Sequence, residues 1–208
     1  MIVIGLSGAQ GAGKSTLLIE LQKRGWILDQ FRVSRAVQAQ LGWDSLDQVM
    51  ESVETMQMFQ KTVLEQKLKH DFELHQNVAA RTIDPKGRII LTERTFADIF
   101  AYTSQWTWRF HDQNKISFNE SFRCMQAFTA QCVAGQTSCY DGVILLPFME
   151  HVAWEDDANR ASKNDVQSVF EDIESFILRK TPLMPKLLIT TKTVSERADQ
   201  VETFLRSL

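Results

Sequence analysis

The first 25 residues constrain this chain's fold more tightly than any other stretch. Met1 to Leu6 is a short apolar run rich in Ile and Val and bounded by glycine, the pattern of a buried strand. Ser15 to Arg24, STLLIELQKR, puts Leu17, Leu18 and Leu21 on one side of a helix and charges on the other, with Gly25 as its stop. Between them lies GAQGAGKS, residues 8–15, which fits the pattern G-x-x-x-x-G-K-[ST]. Glycines allow a backbone to curl until its N–H groups point inward, and the helix start behind it adds partial positive charge. Strand, loop and helix in that order make a cradle for the phosphates of a nucleotide. The expected nucleotide-binding residues are therefore Gly8, Ala9, Gln10, Gly11, Ala12, Gly13, Lys14, Ser15 and Thr16. Lys14 would reach the β- and γ-phosphates, and Ser15 would ligate Mg2+.

A second signature overlaps the first. Residues 6–10, LSGAQ, look like the LSGGQ box of transport ATPases. In those proteins the box is a separate element far downstream of the phosphate loop. Here Gly8 would have to serve both and no second copy exists, so the overlap is coincidence.

Farther along, apolar runs alternate with helical spacing. Trp26 to Leu28, Arg88 to Thr92, Val143 to Leu146 and Lys186 to Thr190 read as strands. Residues 45–80 read as one or two helices, 97–134 as helical with a break near Asn114, and 165–179 and 194–208 as further helices. This alternation predicts an α/β fold, a three-layer doubly wound parallel sheet of about five strands. A length of 208 residues with 44% hydrophobic content suits one compact domain, residues 1–208.

Composition narrows the function classes. A net charge of −3 with mixed signs argues against a broad nucleic-acid coat, although it leaves room for a local basic patch. Cys124, Cys132 and Cys139 are odd in number and lack C-x-x-C spacing, so free thiols in a reducing cytoplasm are expected. The four histidines are scattered, which disfavours a histidine-built metal cluster. No segment approaches the roughly 18 apolar residues that span a bilayer, so no membrane partner is expected. The start, MIVIGLSG, lacks a basic stretch and reads as structure rather than as a leader.

Bound triphosphate would leave a switch GTPase, a mechanical ATPase or a small-molecule kinase. Thr190-Thr-Lys-Thr193 stands where a guanine-reading N-K-x-D would be, and it has no Asp. The strand that would end in an acidic pair in a mechanical ATPase ends here in LTERTFAD. Glu93 would hold magnesium through water or accept a substrate proton, and Arg94 supplies a planar cation for a phosphate or an attacked hydroxyl. Thr95 reads as a helix N-cap, with Asp98 one turn along facing the substrate.

GAQGAGKST, ERTFAD, ILLP, DDANR and SERADQVETFL, in this order and spacing, resemble the P-loop nucleoside and nucleotide kinases. The likeness extends to deoxynucleoside and thymidylate kinases, and more fully to compact phage and nicotinamide riboside kinases. It implies an ATP- and Mg2+-dependent phosphotransferase, with Ser15 and Glu93 as metal residues and Lys14, Glu93, Arg94 and Arg160 as catalytic ones. Arg160 would sit on a short lid around residues 150–165. The substrate side would take Asp29, Arg32, Arg35, Arg94 and Asp98. One departure stands out: Arg32 occupies the place where such kinases carry an acid, and Asp29 is the nearest carboxylate.

The expected acceptor is a small-molecule nucleoside, deoxynucleotide or relative. A hydroxymethylated pyrimidine in phage DNA, gripped by Arg32 and Arg35, is the alternative, and a nucleotide-dependent binding module without an acceptor is a third reading. Tyr102, Trp106 and Phe110, at i, i+4, i+8, read as a core stripe, with base stacking as the other possibility. Lys67, Lys69 and His70 read as a solvated helix face.

Overall fold

The computed structural model describes residues 1–76, 85–147 and 163–208. Parallel strands β1 (Ile2–Ser7), β2 (Ile27–Asp29), β3 (Ile89–Glu93), β4 (Gly142–Leu145) and β5 (Lys186–Leu188) form one sheet in the order β2-β3-β1-β4-β5. The helices are α1 (Lys14–Lys23), α2 (Val33–Gln40), α3 (Val53–Gln76), α4 (Phe96–Asp112), α5 (Phe118–Cys139), α6 (Lys163–Arg179) and α7 (Val194–Ser207).

Two apolar cores, one on each face of the sheet, make the three layers. On one face Val3, Val143 and Leu145 pack with residues of α2 to α6, including Val37, Phe59, Phe96 and Phe176. On the other, Ile4, Leu6, Ile144 and Leu146 meet Leu17, Leu18 and Leu21 of α1 and Ala198, Val201 and Leu205 of α7. Neighbouring residues of one strand thus feed opposite cores, which is why these strands are apolar without a break. The expected α/β fold is the one observed.

Caps explain several helix limits. Thr95, Ser117 and Thr193 each form a capping box, with Asp98, Glu120 and Glu196 as the returning acid. Asn114 takes a left-handed φ of 56° and separates α4 from α5, at the break expected there. Helix α2 had no signal in the sequence reading: it is only eight residues long and lacks a side-chain cap.

Lys67 corrects the expectation of a solvated face on α3. Lys69 is exposed, but Lys67 is wholly buried. Its ammonium is 3.0 Å from Asp71 Oδ1 and donates to Thr92 Oγ1 (3.1 Å) and to the Glu93 carbonyl (3.3 Å), so each of its N–H bonds has an acceptor. Asp71 also accepts from the Tyr140 hydroxyl. A buried charge survives only with such partners, and this one fastens α3 to the end of β3. Lys67→Met would leave Asp71 buried without its cation. Denaturant melts should show a loss of about 3–5 kcal/mol, more than for Lys69→Met, which should change little.

Candidate active site

The site grows from the C-terminal ends of β1, β3 and β2, side by side in the sheet. The loop after β1 has the geometry of an anion cradle. Gly8 has φ of +151°, and a Cβ there would lie 2.7 Å from the Leu146 carbonyl oxygen, so only glycine fits. Gly13, at φ +86°, turns the chain into α1 without a side-chain cap, leaving the helix's first N–H groups for a ligand. Gly11, Ser15 and Thr16 are exposed, Gln10 and Gly13 are half-buried, and Gly8, Ala9 and Ala12 are packed beneath.

Lys14 is buried, and its ammonium folds back onto the loop, donating to the carbonyls of Gly8 and Ala9, the latter at 2.8 Å. These are replaceable bonds, because an anion in the cradle offers stronger acceptors to the same three hydrogens. Burial pushes the Lys14 amine down from its ordinary 10.5 to about 8, helped by Arg94 and opposed by Asp98 and Glu93.

Glu93 closes β3 opposite Leu6 of β1, which places its half-buried carboxylate beside the loop. Arg94 follows with φ of 66°, an uncommon left-handed conformation for a side-chain-bearing residue. Its N–H donates to the Leu6 carbonyl at 3.0 Å, and its guanidinium lies 5.1 Å from the Tyr102 ring. The Tyr102 hydroxyl accepts from the Gln10 N–H at 3.3 Å. Loop, arginine and α4 therefore meet at one aromatic ring. Phe110 is core as expected, Trp106 packs against it half-buried, and Tyr102 adds this contact with the loop.

Asp98 departs from expectation. It is fully buried beneath the loop and not turned to a substrate. Its Oδ2 accepts from Ser7 Oγ (2.7 Å), Thr95 N (2.9 Å) and Thr95 Oγ1 (3.1 Å), and its Oδ1 accepts from Gly8 N (3.2 Å). It suspends the start of the loop from the start of α4.

Asp29 ends β2 opposite Thr92. Its Oδ2 accepts from Thr92 Oγ1 at 2.7 Å, and its Oδ1 is 3.3 Å from His70 Nε2. Arg32 and Arg35, at the start of α2, are exposed, and neither forms an ion pair with a described residue. Arg160 lies outside the described residues, as does the lid segment as far as residue 162; residues 163–165 begin α6.

Arg197 was missed in the sequence. It is buried on α7, where Nη1 donates to the Ala12 carbonyl at 3.1 Å and Nε to that of Thr191 at 3.2 Å. It braces the underside of the loop from 185 residues away in the chain, and SERADQ carries no mark of that. All three cysteines are free thiols, and Cys132 and Cys139 are buried.

This chain belongs to a family described as AAA domain, whose model matches residues 3–197. Among solved structures it is similar to deoxyadenosine kinase from M. mycoides. With dATP bound, that enzyme superposes with a TM-score of 0.69 at 16% identity over 99% of this chain and 100% of the other. The same kinase with products dCMP and a flexible dCDP gives 0.67, and with dCTP 0.66, each at 16% identity over 100% of both chains. The fold is that of these kinases, a five-stranded parallel sheet with flanking helices. Family match and structural likeness agree with the P-loop nucleoside- and nucleotide-kinase-like group that the sequence resembles. No curated protein matches by sequence. No helix among the described residues is long and apolar enough to cross a membrane.

The Lys14 amine gives a pH test with a definite sign. Below about 8 it is charged in the empty protein. Above that value a triphosphate must first reprotonate it, so affinity should fall with rising pH, by at most about tenfold per unit. Calorimetry with Mg-ATP in buffers of differing ionisation heat should register proton uptake above pH 8 and little below it.

Proposed function

We propose that this chain is a single-domain, ATP- and Mg2+-dependent phosphotransferase acting on a nucleoside, a deoxynucleotide or a related small acceptor. The observation that carries this reading is the adjacency of three functional groups on three neighbouring strand ends. These are an anion cradle with its lysine after β1, a glutamate–arginine pair closing β3, and a carboxylate closing β2. A module that only held Mg-nucleotide would have no use for the carboxylate closing β2. Similarity to a deoxyadenosine kinase supports the choice of acceptor class.

In this reading the loop amides and Lys14 hold the β- and γ-phosphates. Ser15 and Glu93 offer the hard oxygen donors that Mg2+ prefers, one exposed at the start of α1 and one half-buried beside it. The metal, when bound, would neutralise charge on the β- and γ-oxygens. Arg94, fixed by its backbone and by Tyr102, stabilises the negative charge on the group in transit, and Arg160 would do so from the lid. Asp29, one strand farther from the loop, takes the proton of the attacking hydroxyl. Arg35 and Arg32 face the acceptor side. Most of the rate then comes from positioning and fixed charge, because phosphoryl transfer asks little covalent chemistry of the protein.

Arg32 and Arg35, exposed and without an ion pair among the described residues, favour a second reading, with a hydroxymethylated pyrimidine in DNA as acceptor. Labelled ATP offered with deoxyadenosine, deoxycytidine, their monophosphates and modified DNA separates the two. Label in a free nucleoside or nucleotide supports the first reading, and label in DNA, falling steeply with salt, supports the second. Hydrolysis without transfer to any of them would reduce the chain to a nucleotide-dependent module. Lys14→Ala should abolish ATP binding. Glu93→Gln should lower turnover about a hundredfold or more while leaving ATP affinity within a few-fold. An unchanged rate would remove Glu93 from the site.

A further inference from the structure

Helix α4 lays two acceptors along the phosphate loop. Asp98 and Tyr102 stand one helical turn apart, on the same face of α4. Asp98 Oδ1 takes the Gly8 N–H at 3.2 Å, and the Tyr102 hydroxyl oxygen takes the Gln10 N–H at 3.3 Å. Alternate amides of the loop are thus registered on one helix. Tyr102 also makes a second contact, because the Arg94 guanidinium lies over its ring, 5.1 Å from the centroid.

Arg94 needs a support of this kind. Its left-handed φ of 66° and its N–H bond to the Leu6 carbonyl fix where the side chain begins, not where the guanidinium ends. Among the described residues no carboxylate forms a salt bridge with that guanidinium. Tyr102 is half-buried, turns about only two χ angles and is backed by the Trp106 ring at 6.2 Å and 49°. It is therefore the stiffer partner. The Lys14 amine is held down to about 8 by burial first and by the Arg94 charge next, so the two cations converge on one place.

We infer that Tyr102 sets this site's preference for a triphosphate over a diphosphate, as the positioning residue that holds Arg94 against the terminal phosphate. The inference rests on the kinase reading above, in which Arg94 meets the phosphoryl group in transit. The two ends of the side chain have separate tasks. The hydroxyl registers the ring on the loop, and the ring carries the cation. Arg94 is thereby placed relative to the phosphates in the cradle and not only relative to β3. A diphosphate fills the loop and reaches Lys14 but presents nothing to Arg94. What Tyr102 contributes is felt only when a γ-phosphate is present.

Two substitutions divide the side chain. Tyr102→Phe keeps the ring and loses the hydroxyl, whereas Tyr102→Met fills much of the space and loses both. Calorimetry of Mg-ATP and Mg-ADP reads the effect and needs no acceptor. The ratio of ATP to ADP affinity should fall about tenfold in Tyr102→Met, as far as in Arg94→Ala. It should fall no farther in the double variant, because residues acting through one contact are not additive. Tyr102→Phe should keep the ratio within about twofold of wild type. An unchanged ratio in Tyr102→Met, a double variant that loses the product of the two singles, or a Phe variant as impaired as the Met one overturns the inference.

Should thermal melts show Tyr102→Met unfolded, proton NMR of the Arg94 Nε–H in wild type takes its place. A signal shifted upfield by the ring, which moves with Mg-ATP and not with Mg-ADP, supports the inference; one that answers both nucleotides equally overturns it. If wild type binds ATP no better than ADP, the inference falls and the kinase reading stands on its own labelling test. If wild type prefers ATP yet labels no acceptor, the kinase reading falls, and the affinity ratios still decide what Tyr102 does.

Discussion

The carboxylate of Asp98 is the point on which the site hangs. A fully buried anion is stable only when surrounded by donors, and here the donors come from two segments far apart in sequence: Ser7 and Gly8 at the end of β1, and Thr95 at the start of α4. The loop that would hold phosphate and the strand end carrying Glu93 and Arg94 are thereby locked together. A Cβ at Gly5 would lie 2.5 Å from the Thr95 methyl, so β1 and the α4 cap approach as closely as a bare backbone allows.

Other anchors hold the same assembly from different sides. Arg197 supports the loop through Ala12, and α7 is itself tied to α1 by Arg24 with Asp199 and by Trp26 with Glu202. Lys67 grips the Glu93 carbonyl, just where the chain enters the left-handed turn at Arg94. Strain at Arg94 persists because the hydrogen bond to Leu6 and the stack on Tyr102 hold it from both ends. A reaction that depends on placement needs such over-determination.

At 16% identity, likeness to deoxyadenosine kinase is a statement about architecture. The two chains share a fold, a five-stranded parallel sheet with flanking helices. In this chain the β2 edge of that sheet carries Arg32 at the start of α2 and His70 on α3.

By itself the sequence determined the elements whose signal is local. A strand, three glycines, Lys14 and a leucine-faced helix are contiguous, so the cradle could be read directly. Apolar runs between helical periods gave the parallel sheet, and LTERTF gave Glu93 and Arg94 at a strand end. Tertiary structure alone decided the contacts of Asp98, Lys67 and Arg197. A short acid one turn into a helix reads alike whether it faces a substrate or a buried glycine amide. A lysine on a mixed helix reads as solvated until the carboxylate that neutralises it, Asp71, and the hydroxyl that accepts from it, Thr92, 25 residues away, are seen beside it. Burial of charge is a property of what surrounds it, and a linear pattern does not contain the surroundings.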